Sequence, residues 1–155
     1  NCFCNFDFML KHINSIEYFY FQIGGYFEGN RQIIIKDNYF ELMKSQYGFS
    51  ENILSKENHL TINSISSLIE VLNDISLLSW DENYSNEDVM DGTQWEIEIK
   101  YNNLKKIKKS FGSNQFPYVD KINNTISSKN SDNTPDFLKL IVVLNKIIKK
   151  KNFFY

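Results

Sequence analysis

The pattern of apolar residues along this chain predicts an α+β domain: a four-stranded antiparallel sheet with two helices packed on one face, in the order ββαββα. Three observations carry that expectation. Trp95, Ile97, Ile99 and Tyr101 alternate with Gln94, Glu96, Glu98 and Lys100, the period of a half-buried antiparallel strand. Residues 62–75 and 137–148 repeat apolar side chains at three and four positions, the period of one helical face. Residues 17–23 are aromatic and β-branched and stop at Gly24-Gly25. At 155 residues the chain fits a single domain, 1–155, large enough to bury roughly two thirds of its unfolded surface without disulfides or a metal.

The first hairpin is expected over residues 15–46. Residues 17–23 form one strand, Gly24-Gly25 and Gly29-Asn30 break it, and residues 31–43 return. Tyr18, Tyr20 and Gln22 lie on one face and Phe19, Phe21 and Ile23 on the other, so this strand should be central or covered on both sides. Residues 2–8 offer a fifth strand, and residues 48–60 read as a polar connector. The first helix follows, capped by Thr61 or Asn63, with Ile62, Ile65, Leu68, Ile69, Leu72 and Ile75 as its buried stripe and an end near Leu78.

In the second hairpin Asn102-Asn103 supplies the turn, because Asn tolerates positive φ. Its return strand, residues 104–111, carries Lys105, Lys106, Lys108 and Lys109, which would pair across the ladder with Glu96 and Glu98. Residues 118–133 read as loop with a short helical turn. Thr134-Pro135-Asp136 then starts the second helix as N-cap, first-turn Pro and first-turn acid. Phe137, Leu138, Ile141, Leu144, Ile147 and Ile148 form its expected buried stripe, and Lys146 and Lys149–Lys151 suit the negative end of its dipole.

Composition bounds the function more by exclusion. There are 13 Phe and 9 Tyr, no Ala, abundant Asn, and a single Arg, Arg31, among many Lys. That usage follows A/T-rich codons, so the lysines by themselves do not indicate a partner. The net charge of −2 lacks the basic balance of a nucleic-acid-binding domain. No stretch approaches the roughly 18 to 20 consecutive apolar residues of a membrane span. Cys2 and Cys4, one residue apart, read as free thiols of a cytoplasmic protein, and no second Cys or His pair completes a tetrahedral zinc site. The chain begins at Asn1, which leaves a removed leader open.

Catalytic signatures are incomplete. His12 and His59 stand in polar surroundings with no nucleophile motif beside them, and Gly24-Gly25 with Gly29 lacks the Lys-Ser/Thr of a phosphate loop. Asp81-x-Asn83-x-Ser85 begins like a calcium loop, but Asn86 stands where Gly is preferred and Gly92 where a bidentate Glu belongs. No cofactor and no metal site are expected.

The least ordinary stretch runs from Trp80-Asp81 through Asp91-Gly92-Thr93-x-Trp95-x-Ile97-x-Ile99-x-Tyr101 to Gly112-Ser113-Asn114-x-x-Pro117. With the aromatic-Gly run of residues 20–26, it resembles a loosely defined group of small bacterial domains of uncharacterised function, found alone or in lipoproteins. The resemblance covers about two thirds of the chain. It implies a structural corner, a turn into a strand and a strand exit, and no catalytic residue.

Two readings of the corner differ by exposure. If Trp80 closes the core, its indole N–H reaches a loop carbonyl or the Asp91 carboxylate. If the aromatics stay exposed, Trp80, Asp81, Tyr84, Glu87, Asp88 and Phe116 form a partner-binding rim. The function expected first is a non-enzymatic protein-binding module of the inhibitor or immunity type that masks its partner. One alternative is nucleic-acid contact through Lys105, Lys106, Lys108 and Lys109, with Tyr101 and Phe111 beside them. The other is a metal-dependent enzyme using the dispersed carboxylates Asp81, Asp91 and Glu96.

The alternation places Trp95 in the core, so Trp95→Ala should destabilise the fold by about 3–5 kcal/mol in a denaturant titration. A loss below about 1 kcal/mol would instead mark Trp95 as exposed.

Overall fold

The fold is taken from a computed structural model that describes residues 11–25, 29–46, 49–53, 58–85, 92–129 and 134–155, with only the backbone for 49–53. The strands are β1 (Ile16–Gly25), β2 (Gly29–Lys36), β3 (Tyr39–Gln46), β4 (Phe49–Ile53), β5 (Asn83–Ser85), β6 (Gln94–Tyr101), β7 (Ile107–Ser113), β8 (Phe116–Asp120) and β9 (Thr125–Lys129). The helices are α1 (Ile62–Asp74) and α2 (Pro135–Ile147), and a 3₁₀ turn spans Leu77–Ser79. Seven strands form one sheet in the order β4-β3-β2-β1-β6-β7-β5, and β8 pairs with β9 alone. Every pairing is antiparallel except β5 with β7.

The class is α+β, but the sheet is larger than the four strands expected and is mixed at one edge. The expected return strand over 31–43 is in fact two strands. Asp37 and Asn38 both take positive φ, 53° and 65°, so they form a two-residue turn whose twist suits the flanking strands. Lys36 then faces Tyr39 across the new ladder. Part of the polar connector is β4, held to β3 from Leu42↔Ile53 to Gln46↔Phe49. The expected loop at 118–133 contains most of the β8–β9 hairpin, whose turn is closed by the Asp120 carboxylate accepting from the Ile122 and Asn123 N–H groups at 3.0 and 3.1 Å. Such strands escape pattern reading because five residues are too few to show a period, and backbone pairing holds them. The expected strand at 2–8 lies outside the described residues.

β1 is central, as expected, between β2 and β6. Phe19, Phe21 and Ile23 are fully buried and join Ile33, Leu42, Ile97 and Ile99 in a single core beneath the helices. The opposite face, with Tyr18, Tyr20 and Gln22, carries no helix among the described residues. Covering one face only is what an antiparallel sheet permits.

Thr61 caps α1, its Oγ1 accepting the Ser64 N–H at 3.1 Å. The helix stops at Asp74 rather than Leu78, because Ser76 turns left-handed (φ 55°) before the 3₁₀ turn. Leu68, Leu72 and Ile75 are buried, but Ile62, in the first turn, is 83% exposed. α2 begins where Thr134-Pro135-Asp136 indicated, yet the Thr134 side chain makes no capping bond. Asp136 is buried instead and accepts the Val119 N–H at 3.0 Å, tying α2 to β8. The buried stripe includes Leu140 and Val143, while Leu138 is 48% exposed. The helix is rotated so that Phe137, rather than Leu138, leads into the core.

Asparagine side chains make three clamps, two of them between segments far apart in the chain. Asn102 Oδ1 accepts the Asn14 and Ser15 N–H groups at 2.7 and 3.2 Å, while its Nδ2 donates to the His12 carbonyl at 2.7 Å. Asn73 exchanges bonds with both backbone groups of Ile13 at 2.8 and 2.9 Å. Asn145 does the same for Phe154 at 2.9 and 3.0 Å, which seats Phe154 against Phe21 with ring centroids 5.3 Å apart. As expected, Asn102 and Asn103 take positive φ, 53° and 55°.

Trp95 stands opposite Gly112 across the β6–β7 ladder. Its indole N–H donates to the Gln115 carbonyl at 2.8 Å, and a Cβ added at Gly112 would lie 2.5 Å from Trp95 Nε1 and 2.6 Å from that carbonyl. Gly112→Ala should therefore destabilise the fold by about 1–3 kcal/mol, the usual range for forced overpacking. A urea midpoint equal to the parent's would show that the indole does not lie across Gly112.

Candidate functional site

The Trp80 corner is a core closure. The Trp80 indole N–H donates to the Ile75 carbonyl at 2.9 Å, one of the two partners expected for it. Trp80, Tyr84 and Phe116 are 2%, 6% and 2% exposed, so they do not form the aromatic rim of the second reading. Glu87, Asp88 and Asp91 lie outside the described residues. Of the expected rim, Asp81 is exposed, and it lines a cleft.

That cleft, about 680 Å³, lies between the edge strand β5 and the β8–β9 hairpin. Asp81, Asn83, Tyr84, Ser85, Gln115, Ser127 and Ser128 line it. Its floor is held from the core side, where the Tyr84 ring lies 6.0 Å from Trp95. The Tyr84 hydroxyl accepts the Asp81 N–H at 2.8 Å, and burial pushes its pKa up. Residues 80–82 are fixed to β7 by the Ser110 hydroxyl donating to the Asp81 carbonyl (2.6 Å) and by the Phe111 N–H donating to the Glu82 carbonyl (2.8 Å).

The four lysines at 105–109 do not share a surface. Lys105 and Lys106 precede β7 and are exposed. Lys108 turns toward the covered face and donates to the Trp80 carbonyl, with burial lowering its pKa. Lys109 turns to the open face and pairs with Glu98 at 3.1 Å, the cross-ladder pairing expected from the sequence. Tyr101, their expected stacking neighbour, is buried. The carboxylates of the metal reading are also apart: Asp81 lines the cleft and Glu96 lies on the open face. Among the described residues no group of three or more His, Cys, Asp and Glu side chains is placed to hold a metal ion.

Pattern reading missed the open sheet face as a site. Register places Tyr18, Tyr20 and Gln22 of β1 beside Lys100, Glu98 and Glu96 of β6, which in turn face Ile107, Lys109 and Phe111 of β7. On the other side of β1 lie Lys36, Ile34 and Gln32. The Tyr20 hydroxyl sits between the side-chain carbonyls of Gln22 and Gln32. Burial, then the charges of Glu96 and Glu98, push Tyr20 up to about 12. Glu96 is raised chiefly by burial, then by the charge of Glu98 and a hydrogen bond with it, and Lys109 opposes the shift. Phe111, Ile107 and Tyr39 are 37%, 39% and 52% exposed. The signal was present as two-sided apolarity in β1, but which side faces the helices depends on tertiary packing.

No family model, curated protein or solved structure matches this chain.

Because folding raises the Glu96 carboxyl, the folded state favours its protonated form. The stability this contributes is full below the unfolded pKa and is lost as pH rises through the folded value. Glu96→Gln should therefore melt higher than the parent at neutral pH, with the gap closing once the carboxyls are protonated in acid. A variant that melts lower at neutral pH would contradict the assignment.

Proposed function

We propose that this protein is a non-enzymatic protein-binding module of the inhibitor or immunity type, which masks its partner with the open face of the seven-stranded sheet. The observation that supports this reading is the one-sided cover of the sheet. On the uncovered side lie the rings of Tyr18, Tyr20 and Phe111, with Ile34 and Met43, around the Glu96–Glu98–Lys109 group. Partly exposed tyrosines bring large contact area at low conformational cost, and central aromatic anchors dominate interface energies. The flanking charges, Lys36, Lys100 and Glu41, suit a polar rim that orients the partner.

Cytoplasmic action belongs to the same reading. Among the described residues no helix is long and apolar enough to cross a membrane.

The test compares capture by two immobilised proteins from one lysate of the source cells. The parent should retain a specific partner that a Tyr20→Ala/Phe111→Ser double variant, with unchanged circular dichroism, loses by at least about tenfold, as expected for removal of two anchors. Equal retention by both, or no specific partner for the parent, would remove the proposal.

A further inference from the structure

The cleft beside β5 is a different surface with different chemistry, and its reading does not depend on protein binding at the open face. We infer that it is a binding site for a neutral polyhydroxylated ligand, a carbohydrate. Among the described residues its lining is formed by Asn83, Tyr84, Ser85, Gln115, Ser127 and Ser128, all carrying hydroxyl or amide groups, and by one acidic residue, Asp81. Hydroxyls and primary amides both donate and accept, which is the complement of a sugar's hydroxyl groups, each of which also does both. At about 680 Å³ the cleft falls within the size range of small-ligand sites.

Other ligand classes fit poorly. Among the described residues that line it none is a lysine or arginine, which disfavours an anion. A calcium ion takes about six to eight oxygen ligands, usually several of them carboxylates, and among the described residues the lining has one. An extended peptide would need the free edge of β5. The Glu82 carbonyl bonds to Phe111 on β7, so in this parallel ladder Tyr84 also turns its backbone groups to β7, while Asn83 and Ser85 turn theirs outward. The outward Ser85 N–H is already taken by Asn83 Oδ1 at 2.9 Å. Strand addition therefore loses one of the two outward donors of β5, a common way for an edge to be blunted.

Two groups set the polarity of the site. The Tyr84 hydroxyl already accepts from the Asp81 N–H, which leaves its own hydrogen to donate to a ligand oxygen. The exposed Asp81 carboxylate accepts from ligand hydroxyls. Trp95 is coupled to the site from below through Tyr84 and through its bond to the Gln115 carbonyl, so its indole N–H reports on occupancy.

The experiment titrates the intact chain with glucose, maltotriose, cellotriose and chitotriose, following the Trp95 indole N–H resonance. At least one sugar should shift it saturably with a Kd below about 10 mM, and filling the cleft with Ser128→Trp should weaken that binding by about tenfold or more. Glucose alone being sufficient would identify a free sugar as the ligand, whereas a requirement for a trisaccharide would identify a glycan chain. Near-UV circular dichroism of Ser128→Trp should match the parent. No saturable shift with any of the four sugars, or equal affinity in the Ser128→Trp variant, would overturn the inference. So would saturable binding of inorganic phosphate or calcium at this site in place of a sugar.

Discussion

The indole of Trp95 is where the separate parts of this fold meet. Its ring centroid lies 5.8 Å from Trp80, 6.0 Å from Tyr84, 6.4 Å from Phe116 and 5.3 Å from Phe137. Those four residues belong to the corner after α1, to β5, to β8 and to α2. A side chain that large fits against β7 only because Gly112 has no Cβ there. A buried indole also needs a partner for its N–H, and the Gln115 carbonyl supplies it. That bond fixes the link from β7 to β8, and so where Phe116 and the β8–β9 hairpin lie. The cleft beside β5 is a consequence, because its two walls are both positioned from this ring.

The second organising constraint is the one-sidedness of the sheet. α1 and α2 cover the face of Phe19, Phe21 and Ile23, and the C-terminal Phe154 completes that cover, held by the Asn145 amide. Lys121 and Lys139 share the Asp74 carboxylate at 3.1 and 2.6 Å, joining the β8–β9 turn and both helices at one exposed point. Exposed ion pairs of this kind stabilise by only about 0.2–1 kcal/mol each, so they orient elements that the core already holds. The uncovered face neutralises its charged groups only in part. Glu96 and Glu98 adjoin each other and share the influence of Lys109.

Much of this architecture was legible in the chain because it rests on local chemistry. The alternation from Gln94 to Tyr101, the central place of β1, the Thr61 cap and the start of α2 at Pro135 follow from side-chain periodicity and from groups that satisfy helix ends. The Asn102-Asn103 turn follows from the tolerance of asparagine for positive φ. The same tolerance makes the turn at Asp37-Asn38, a short polar break between two apolar runs. β4, β5, β8 and β9 were not legible, since strands of three to five residues are too short to show a period. β4 and β5 pair with the edges of the longer β3 and β7, and β8 and β9 pair with each other.

By itself, then, the sequence determined the class of fold, the two helices and the burial of Trp95, because each depends on residues close in the chain or on a sustained period. Only the tertiary structure decided which face of β1 stays open and that Lys108 and Lys109 point to opposite sides of the sheet. It alone turned Trp80, Tyr84 and Phe116 inward and left Asp81 exposed in the lining of a polar cleft. Exposure is a property of the partner surface as much as of the residue. An aromatic side chain at a turn reads the same whether it closes a core or faces a ligand, until the elements that would cover it are in place.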